Sequence, residues 1–72
     1  MVDSTELRER IKSKGLKFKF VAGELGITPY GLALKIDNIN EFTISQAEKL
    51  CELLEIKTLR EKQRIFFAKK VE

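Results

Sequence analysis

The chain has 72 residues, which is enough for one domain. Its 14 basic and 11 acidic side chains give a net charge of +3, a small excess that is compatible with binding to a nucleic-acid backbone but does not demonstrate it. One cysteine and no histidine exclude an internal disulfide and disfavour a zinc site and histidine-based catalysis, so we expect no cofactor, no metal and no enzymatic activity. The longest apolar runs cover only a few residues and no leader peptide opens the chain, so we expect a cytoplasmic protein that does not enter a membrane.

Three helix starts are marked by capping residues. Asp3, Thr43 and Thr58 are residue types that accept hydrogen bonds from the free backbone N–H groups of a first helical turn. Each is followed three residues later by a side chain that can return such a bond, namely Glu6, Gln46 and Glu61. Apolar residues at helical spacing follow all three, so each pair predicts the start of a helix.

The first two helices precede a glycine each. One is predicted from about Ser4 to Lys14, where Leu7 and Ile11 lie one turn apart and Gly15 ends the helix. The next is predicted from about Phe18 to Leu25, before Gly26 interrupts the pattern. Its inward face is expected to carry Val21, Ala22 and Leu25.

A third helix is predicted to begin at Pro29, because Thr28 is a good capping residue and proline is tolerated at the first helical position. Leu32 and Ile36 form its inward stripe. Residues 37–41 are polar and turn-forming, so they predict a loop.

The remaining chain predicts two more helices. The fourth follows Thr43 with inward apolar residues Ile44, Ala47, Leu50, Cys51 and Leu54, and Phe42 is expected to pack on Ala47. The fifth runs from Thr58 to about Lys69 and carries Leu59, Ile65, Phe66 and Phe67. Since no segment alternates between apolar and polar residues, we expect an all-α domain of about five short helices, with at most a short extended segment at the C-terminus.

Several apolar residues have a structural interpretation. Cys51 is expected to be buried as a small apolar residue. We expect one of Phe18 and Phe20 to belong to the core. Phe66 and Phe67 are adjacent, so both cannot easily be buried in a small core, and one of them is expected to face a partner subunit.

Residues 18–36 have the pattern of a helix, a four-residue turn and a second helix. A tight turn of this kind needs a left-handed backbone position, which Gly26 can supply. Ala22 lies where the two helices would cross, and its small side chain permits a close approach. Short helical hairpins in other folds share this pattern. By itself the pattern therefore fits either a helix-turn-helix or an ordinary helical hairpin.

The segment from Gly15 to Ile56 resembles the lambda-repressor-like (Cro-type) helix-turn-helix family, and more narrowly small phage-repressor-like proteins. The resemblance extends over about 40 continuous residues. It is carried by Gly15-Leu16, Val21-Ala22, Leu25-Gly26-Ile27, Thr28, Leu32, Lys35-Ile36, Asn38, Phe42-Thr43 and the stretch from Leu50 to Leu54. Phe66-Phe67-Ala68 also resembles tails in the narrower group.

The resemblance implies a five-helix bundle that binds double-stranded DNA as a homodimer and regulates transcription, with a bacterial or phage origin and no small-molecule ligand. Its recognition helix, residues 29–36, would lie in the major groove. The implied base-facing residues are Thr28, Pro29, Tyr30, Ala33 and Leu34. The implied contacts to the DNA backbone come from Lys14, Lys17, Lys19, Lys35, Asn38, Asn40 and Thr43.

The sequence departs from the family pattern near the implied interface. Family members often carry Thr-Gln at the positions of Lys17 and Phe18, and a polar residue at the position of Leu34. Arginine and asparagine, which pair with guanine and adenine, are missing from the outward face of the recognition helix, so readout would depend on thymine methyl groups, Tyr30 and DNA shape.

Interpretations without a DNA contact remain open for the same residues. The lysine run from Lys12 to Lys19 is also typical of a solvated helix face, and Tyr30 could instead pack on a neighbouring residue. A second function on the same fold, a protein-interaction module, would suit the apolar residues Pro29, Ala33 and Leu34.

Overall fold

Five α-helices follow one another in the computed structural model, which describes residues 1–68, and no strand occurs in that range. They are α1 (Ser4–Ser13), α2 (Phe18–Glu24), α3 (Pro29–Ile36), α4 (Ile44–Leu54) and α5 (Leu59–Phe66). The prediction of an all-α domain of five short helices is confirmed. None of these helices has the length and the apolar run that a bilayer crossing requires.

The predicted helix starts are present at all three places. The side chains of Asp3, Thr43 and Thr58 each accept a hydrogen bond from the backbone N–H three residues later, at 3.0 to 3.1 Å. At α4 the bond is returned, because Thr43 N donates to Gln46 Oε1 at 3.0 Å. Local capping chemistry therefore fixes where these helices begin.

The ends of α1 to α4 share one backbone arrangement. Each is followed by a residue in the left-handed region: Gly15 (φ +70°), Gly26 (φ +75°), Asn38 (φ +64°) and Glu55 (φ +56°). Two backbone N–H groups then donate to carbonyls of the helix. After α2, for example, Gly26 N donates to Gly23 O at 3.1 Å and Ile27 N donates to Ala22 O at 3.0 Å. Each helix thus ends with hydrogen bonds to its last carbonyl groups.

The end of α5 lies before its predicted position. The helix ends at Phe66, and Phe67 leaves the helical conformation at φ −125° and ψ 40°. The predicted end near Lys69 is therefore wrong, because the Phe67 backbone already turns the chain away. The predicted C-terminal extension falls on residues 69–72, outside the described residues.

The core is built by the inward faces of all five helices. The side chains with at most 6% exposure are Leu7, Ile11, Val21, Ala22, Leu32, Ile36, Leu50, Cys51, Leu54, Ile56 and Ile65. Leu25 and Ala47 are half-buried, whereas Ile56, which follows the left-handed Glu55, joins the core without having been predicted. The burial of Cys51 is confirmed, and burial raises the pKa of its thiol.

One residue predicted to face inward does not. Ile44 is 81% exposed. It is the first residue of α4, where helical spacing still assigns an inward face but no described element covers that end. Periodicity alone therefore placed this side chain wrongly. Leu59, the first residue of α5, is also exposed, at 70%.

In each of the two pairs of phenylalanines, Phe18 with Phe20 and Phe66 with Phe67, one side chain is more buried than the other. Phe18 packs against the core while Phe20 stays about half exposed. Phe66 is half-buried and meets the ring of Phe42 edge-on, with centroids 6.0 Å apart, whereas Phe67 is 73% exposed. The expectation that Phe66 and Phe67 are not both buried is confirmed, and the partner subunit expected at one of them stays a prediction.

The two ends of the described chain are joined through α1 and α5. Asp3 N donates to Ile65 O at 2.7 Å, and Ala68 N donates to Met1 O at 3.0 Å. A cluster of four charged side chains connects the same helices: Glu6, Arg10, Glu61 and Arg64, with contacts of 2.8 to 3.1 Å. Hydrogen bonds from Arg10 and Arg64 lower the pKa of the Glu6 carboxyl.

Candidate nucleic-acid interface

The turn between α2 and α3 fixes how the two helices meet. Ala22 is fully buried, and its carbonyl accepts hydrogen bonds from Leu25 N at 3.1 Å and Ile27 N at 3.0 Å. Gly26 takes the left-handed conformation that the sequence predicted for this turn. The helices then pack against each other, which brings the start of α3 to a defined place beside α2.

Three of the five residues predicted to face bases are exposed at the start of α3. Thr28 caps the helix, since its Oγ1 accepts from Gly31 N at 3.0 Å, and its hydroxyl proton stays available. Pro29 is the first helical residue and is exposed. Tyr30 is 74% exposed, so the interpretation of Tyr30 as a packing residue finds no support within the described residues.

The other two, Ala33 and Leu34, are half-buried. The carbonyl of Leu34 accepts from Ile39 N at 2.9 Å and Asn40 N at 3.2 Å, so the backbone at this position closes the end of α3. A ligand approaching α3 therefore meets its first turn more fully than its second.

Two lysines at the start of α2 form no ion pair with the described residues. Lys17 and Lys19 are both exposed, and neither forms a salt bridge with any of residues 1–68. Lys17 precedes the first residue of α2 in an extended conformation, with no side-chain cap. Their charges are thus available to a phosphate without an intramolecular bond being broken.

The remaining two lysines of the predicted set are engaged. Lys14 forms a salt bridge with Glu55, which lowers the pKa of that carboxyl. Lys35 Nζ donates to the carbonyl oxygen of Glu41 at 2.7 Å. Binding of either lysine to DNA would have to compete with these contacts.

The predicted polar contacts in and after the α3–α4 loop have structural roles. Asn38 bonds the backbone of Val2, with Val2 N donating to Oδ1 at 2.7 Å and Nδ2 donating to Val2 O at 3.0 Å. Thr43 caps α4. Asn40 is exposed, and no hydrogen bond of its side chain occurs within residues 1–68. Of these three, Asn40 is the most available to a ligand.

One cation beside α2, Arg8, was not predicted from the sequence. Arg8 Nη2 donates to both carboxylate oxygens of Asp37 at 3.0 and 3.1 Å, and its Cζ lies 5.6 Å from the centroid of the Phe18 ring. Arg8 and Asp37 are 29 residues apart, so no local spacing indicated the pair. The contact places a third cationic side chain at Phe18, the first residue of α2.

No family model, curated protein or solved structure matches this chain. The resemblance to lambda-repressor-like domains therefore stays a prediction based on the quoted residues.

Proposed function

We propose that this chain is a lambda-repressor-like DNA-binding domain that regulates transcription, with α2, the Gly26 turn and α3 acting as its helix-turn-helix. The observation that carries the proposal is the combination of an exposed first turn of α3 with two exposed lysines at the start of the adjoining helix, Lys17 and Lys19, which form no ion pair within residues 1–68. That combination has the two parts a DNA reader needs, a cationic edge for phosphate and a protruding helix for the groove.

In this proposal the cationic edge supplies affinity. Lys17 and Lys19 approach phosphates and release bound counterions, which makes binding weaken as salt rises. Arg8 adds positive charge at Phe18, the first residue of α2, although Asp37 neutralises part of it. These contacts orient the domain on DNA and carry no sequence information themselves.

Sequence preference would come from the first turn of α3. Tyr30 can donate from its hydroxyl and stack or pack with its ring, Thr28 retains its hydroxyl proton, and Pro29 offers an apolar surface to a thymine methyl group. No arginine, asparagine or glutamine occurs in α3, and its one lysine, Lys35, lies in the last turn and donates to the Glu41 carbonyl, so the exposed first turn offers no bidentate readout of guanine or adenine. We expect modest specificity that depends partly on DNA shape.

A homodimer on a two-fold operator fits the size of the domain. Half-sites one helical turn apart have centres separated by roughly 34 Å. The longest extent of the domain is 31 Å, so two copies can occupy neighbouring half-sites without overlapping. Each copy would present one α3 to its half-site.

The salt dependence of DNA binding tests the proposal. We would titrate a fluorescent duplex pool of random sequence with the full chain and measure affinity over a series of salt concentrations. Lys17→Ala and Lys19→Ala should each weaken binding evenly across sequences and reduce the salt slope by about one. Lys57→Ala removes an exposed lysine between α4 and α5 and serves as the control. No binding at low salt, or an equal effect of all three variants, would contradict the proposal.

A protein-interaction module is the second candidate, and the exposed aromatic residues favour it. Phe20 in α2 and Tyr30 in α3 are both exposed, and α3 lacks the usual base-reading side chains. Such a surface would bind an apolar partner with little salt dependence. The same titration separates the two functions, since an interaction module would leave the duplex pool unbound at every salt concentration.

A further inference from the structure

Helix α5 contributes little to the apolar core. Among the described side chains with at most 6% exposure, Ile65 is the only one in α5, and the others lie in α1–α4 or directly after α4. Phe66 adds a half-buried ring that meets Phe42 edge-on. Because apolar burial stabilises a contact in proportion to the area removed from water, packing holds α5 less firmly than it holds α1–α4 to one another.

Charged side chains join α5 to α1. Arg10 Nη2 in α1 lies 2.8 Å from Glu61 Oε2 in α5, and Arg64 Nη1 in α5 lies 3.1 Å from Glu6 Oε1 in α1. Within α1, Arg10 Nε lies 2.8 Å from Glu6 Oε2. The two acids and two bases thus form one charge network, in which each helix carries one charge of each sign.

Two backbone hydrogen bonds add to this contact. Asp3 N, just before α1, donates to Ile65 O at 2.7 Å, and Ala68 N, after α5, donates to Met1 O at 3.0 Å. Both bonds join the N-terminal residues to α5 and its end. They can form only while α5 lies against α1, so the amides of Asp3 and Ala68 report whether the helix is docked.

Salt acts selectively on the charged part of this contact. The side chains of Arg10 and Arg64 are 24% and 50% exposed, so dissolved ions reach the charge network. The Debye length falls from about 10 Å at 0.1 M salt to about 3 Å at 1 M, which is as short as the ion pairs themselves. Apolar burial is not an interaction between charges and is not screened in this way. Salt therefore weakens the attachment of α5 and leaves the packing of α1–α4 in place.

We propose that the charge network is a salt-sensitive latch, and that α5 opens from α1 as a unit while α1–α4 stay folded. Proteins open locally in cooperative segments, and the segments that open most readily are those with few buried apolar contacts. Opening breaks the two backbone bonds between the chain ends and uncovers the part of the core that Ile65 fills. The inference does not rest on the proposed function, because the charge network includes no residue of α2 or α3.

Amide hydrogen exchange measures the opening of each helix separately. We would follow it by NMR in the full chain at about 0.1 M and about 1 M sodium chloride. The amides of Ile65, Asp3 and Ala68 report α5 and its two backbone bonds, and the amides of Leu32 and Leu50 report α3 and α4. Screening of two exposed ion pairs should lower the protection of the first group roughly threefold to tenfold, and that of the second group less than about twofold.

Arg10→Gln separates the charge network from the helix it holds. The variant removes the cation that pairs with Glu61 and leaves the sequence of α5 unchanged, so an effect on α5 must act through the contact. At about 0.1 M salt we expect lowered protection of α5 already, and a smaller further loss at about 1 M. Lys12→Gln is the matched control, because Lys12 lies in the same helix, is exposed and forms no salt bridge within residues 1–68. It should exchange as the unmodified chain does.

Two kinds of result would overturn the proposal. Equal protection of α5 and α4 at both salt concentrations would mean that α5 opens only when the whole domain unfolds. If Arg10→Gln lowers protection in α5 and α4 alike, or keeps the full salt response of the unmodified chain, the charges do not act as a latch on α5. Neither result depends on whether the chain binds DNA.

Discussion

Asn38 holds Val2 in place through both polar atoms of its side-chain amide, with Val2 N donating to Oδ1 at 2.7 Å and Nδ2 donating to Val2 O at 3.0 Å. The same residue ends α3 in the left-handed conformation, at φ +64°. Asparagine is one of the few residues that tolerate this conformation, and its amide has both a donor and an acceptor. Asn38 thus ends α3 through its backbone conformation and holds the N-terminal residues through its side chain.

Replacing Asn38 should separate these two roles. Asn38→Ala loses both hydrogen bonds and strains the left-handed position, so we expect it to lower the free energy of unfolding by about 1–3 kcal/mol. Asn38→Gly loses the same bonds without the strain, and its cost should be smaller by about 1 kcal/mol. Urea unfolding measures both. Equal effects of the two variants would show that the backbone conformation contributes nothing.

The ion pairs of Glu6 should make stability depend on pH. Because Arg10 and Arg64 lower the pKa of Glu6 in the folded state, the unfolded chain binds more protons than the folded chain as pH falls through this range. The contribution of Glu6 is therefore present at neutral pH and is lost as the pH falls through the lowered pKa. Glu6→Gln should be less stable than the unmodified chain near neutral pH and equal to it in strong acid.

Glu9→Gln is the control for that experiment. Glu9 lies in the same helix, is exposed, and forms no salt bridge within residues 1–68. Urea unfolding at a series of pH values should therefore give the same pH profile for Glu9→Gln and the unmodified chain. A constant stability difference between Glu6→Gln and the unmodified chain at every pH would argue against the assigned ion pairs.

The Cys51 thiol should react slowly. The side chain is only 6% exposed, and burial raises the pKa of its thiol, so the reactive thiolate is both scarce and covered. We expect the reaction with an aromatic disulfide reagent to be slower than that of the unfolded chain by on the order of 100-fold. Absorbance in buffer and in concentrated urea measures the two rates. Equal rates would mean that α4 opens readily at this position.

The parts of the fold that could be predicted from sequence depend on local chemistry. The starts of α1, α4 and α5 follow from side chains that bond a backbone N–H three residues away. Gly15 and Gly26 mark two helix ends, because glycine adopts the left-handed conformation without strain. Glu55 does the same for α4 at φ +56°, and its residue type gave no signal of that role.

The candidate site was predictable only in part. Exposure of Lys17, Lys19 and Tyr30 agrees with what the sequence suggested. Lys14 instead contacts Glu55, which is 41 positions away in the sequence, and Asn38 contacts Val2, 36 positions away. Arg8 contacts Asp37, 29 positions away. Such partners are set by how the helices pack, and no local spacing in one sequence indicates them.

Specificity at Tyr30 is open to a direct comparison of two variants. Tyr30→Phe keeps the ring and removes the hydroxyl, whereas Tyr30→Ala removes both. If α3 reads bases, both variants should alter which duplexes are preferred, and Tyr30→Ala should alter them more. Binding to a pool of random duplexes at low salt should change little, since phosphate contacts by Lys17 and Lys19 dominate there. Unchanged affinity and preference in Tyr30→Ala would show that the assigned face is wrong.

Selection of bound duplexes from a randomised DNA library by the full chain, at two salt concentrations, tests most directly whether this protein reads DNA. The DNA-binding interpretation predicts recovery of a two-fold motif with half-sites about one helical turn apart, and weaker binding of every selected duplex at the higher salt. Recovery of no duplex above background, even at the lower salt, would contradict it and favour a protein partner for α3.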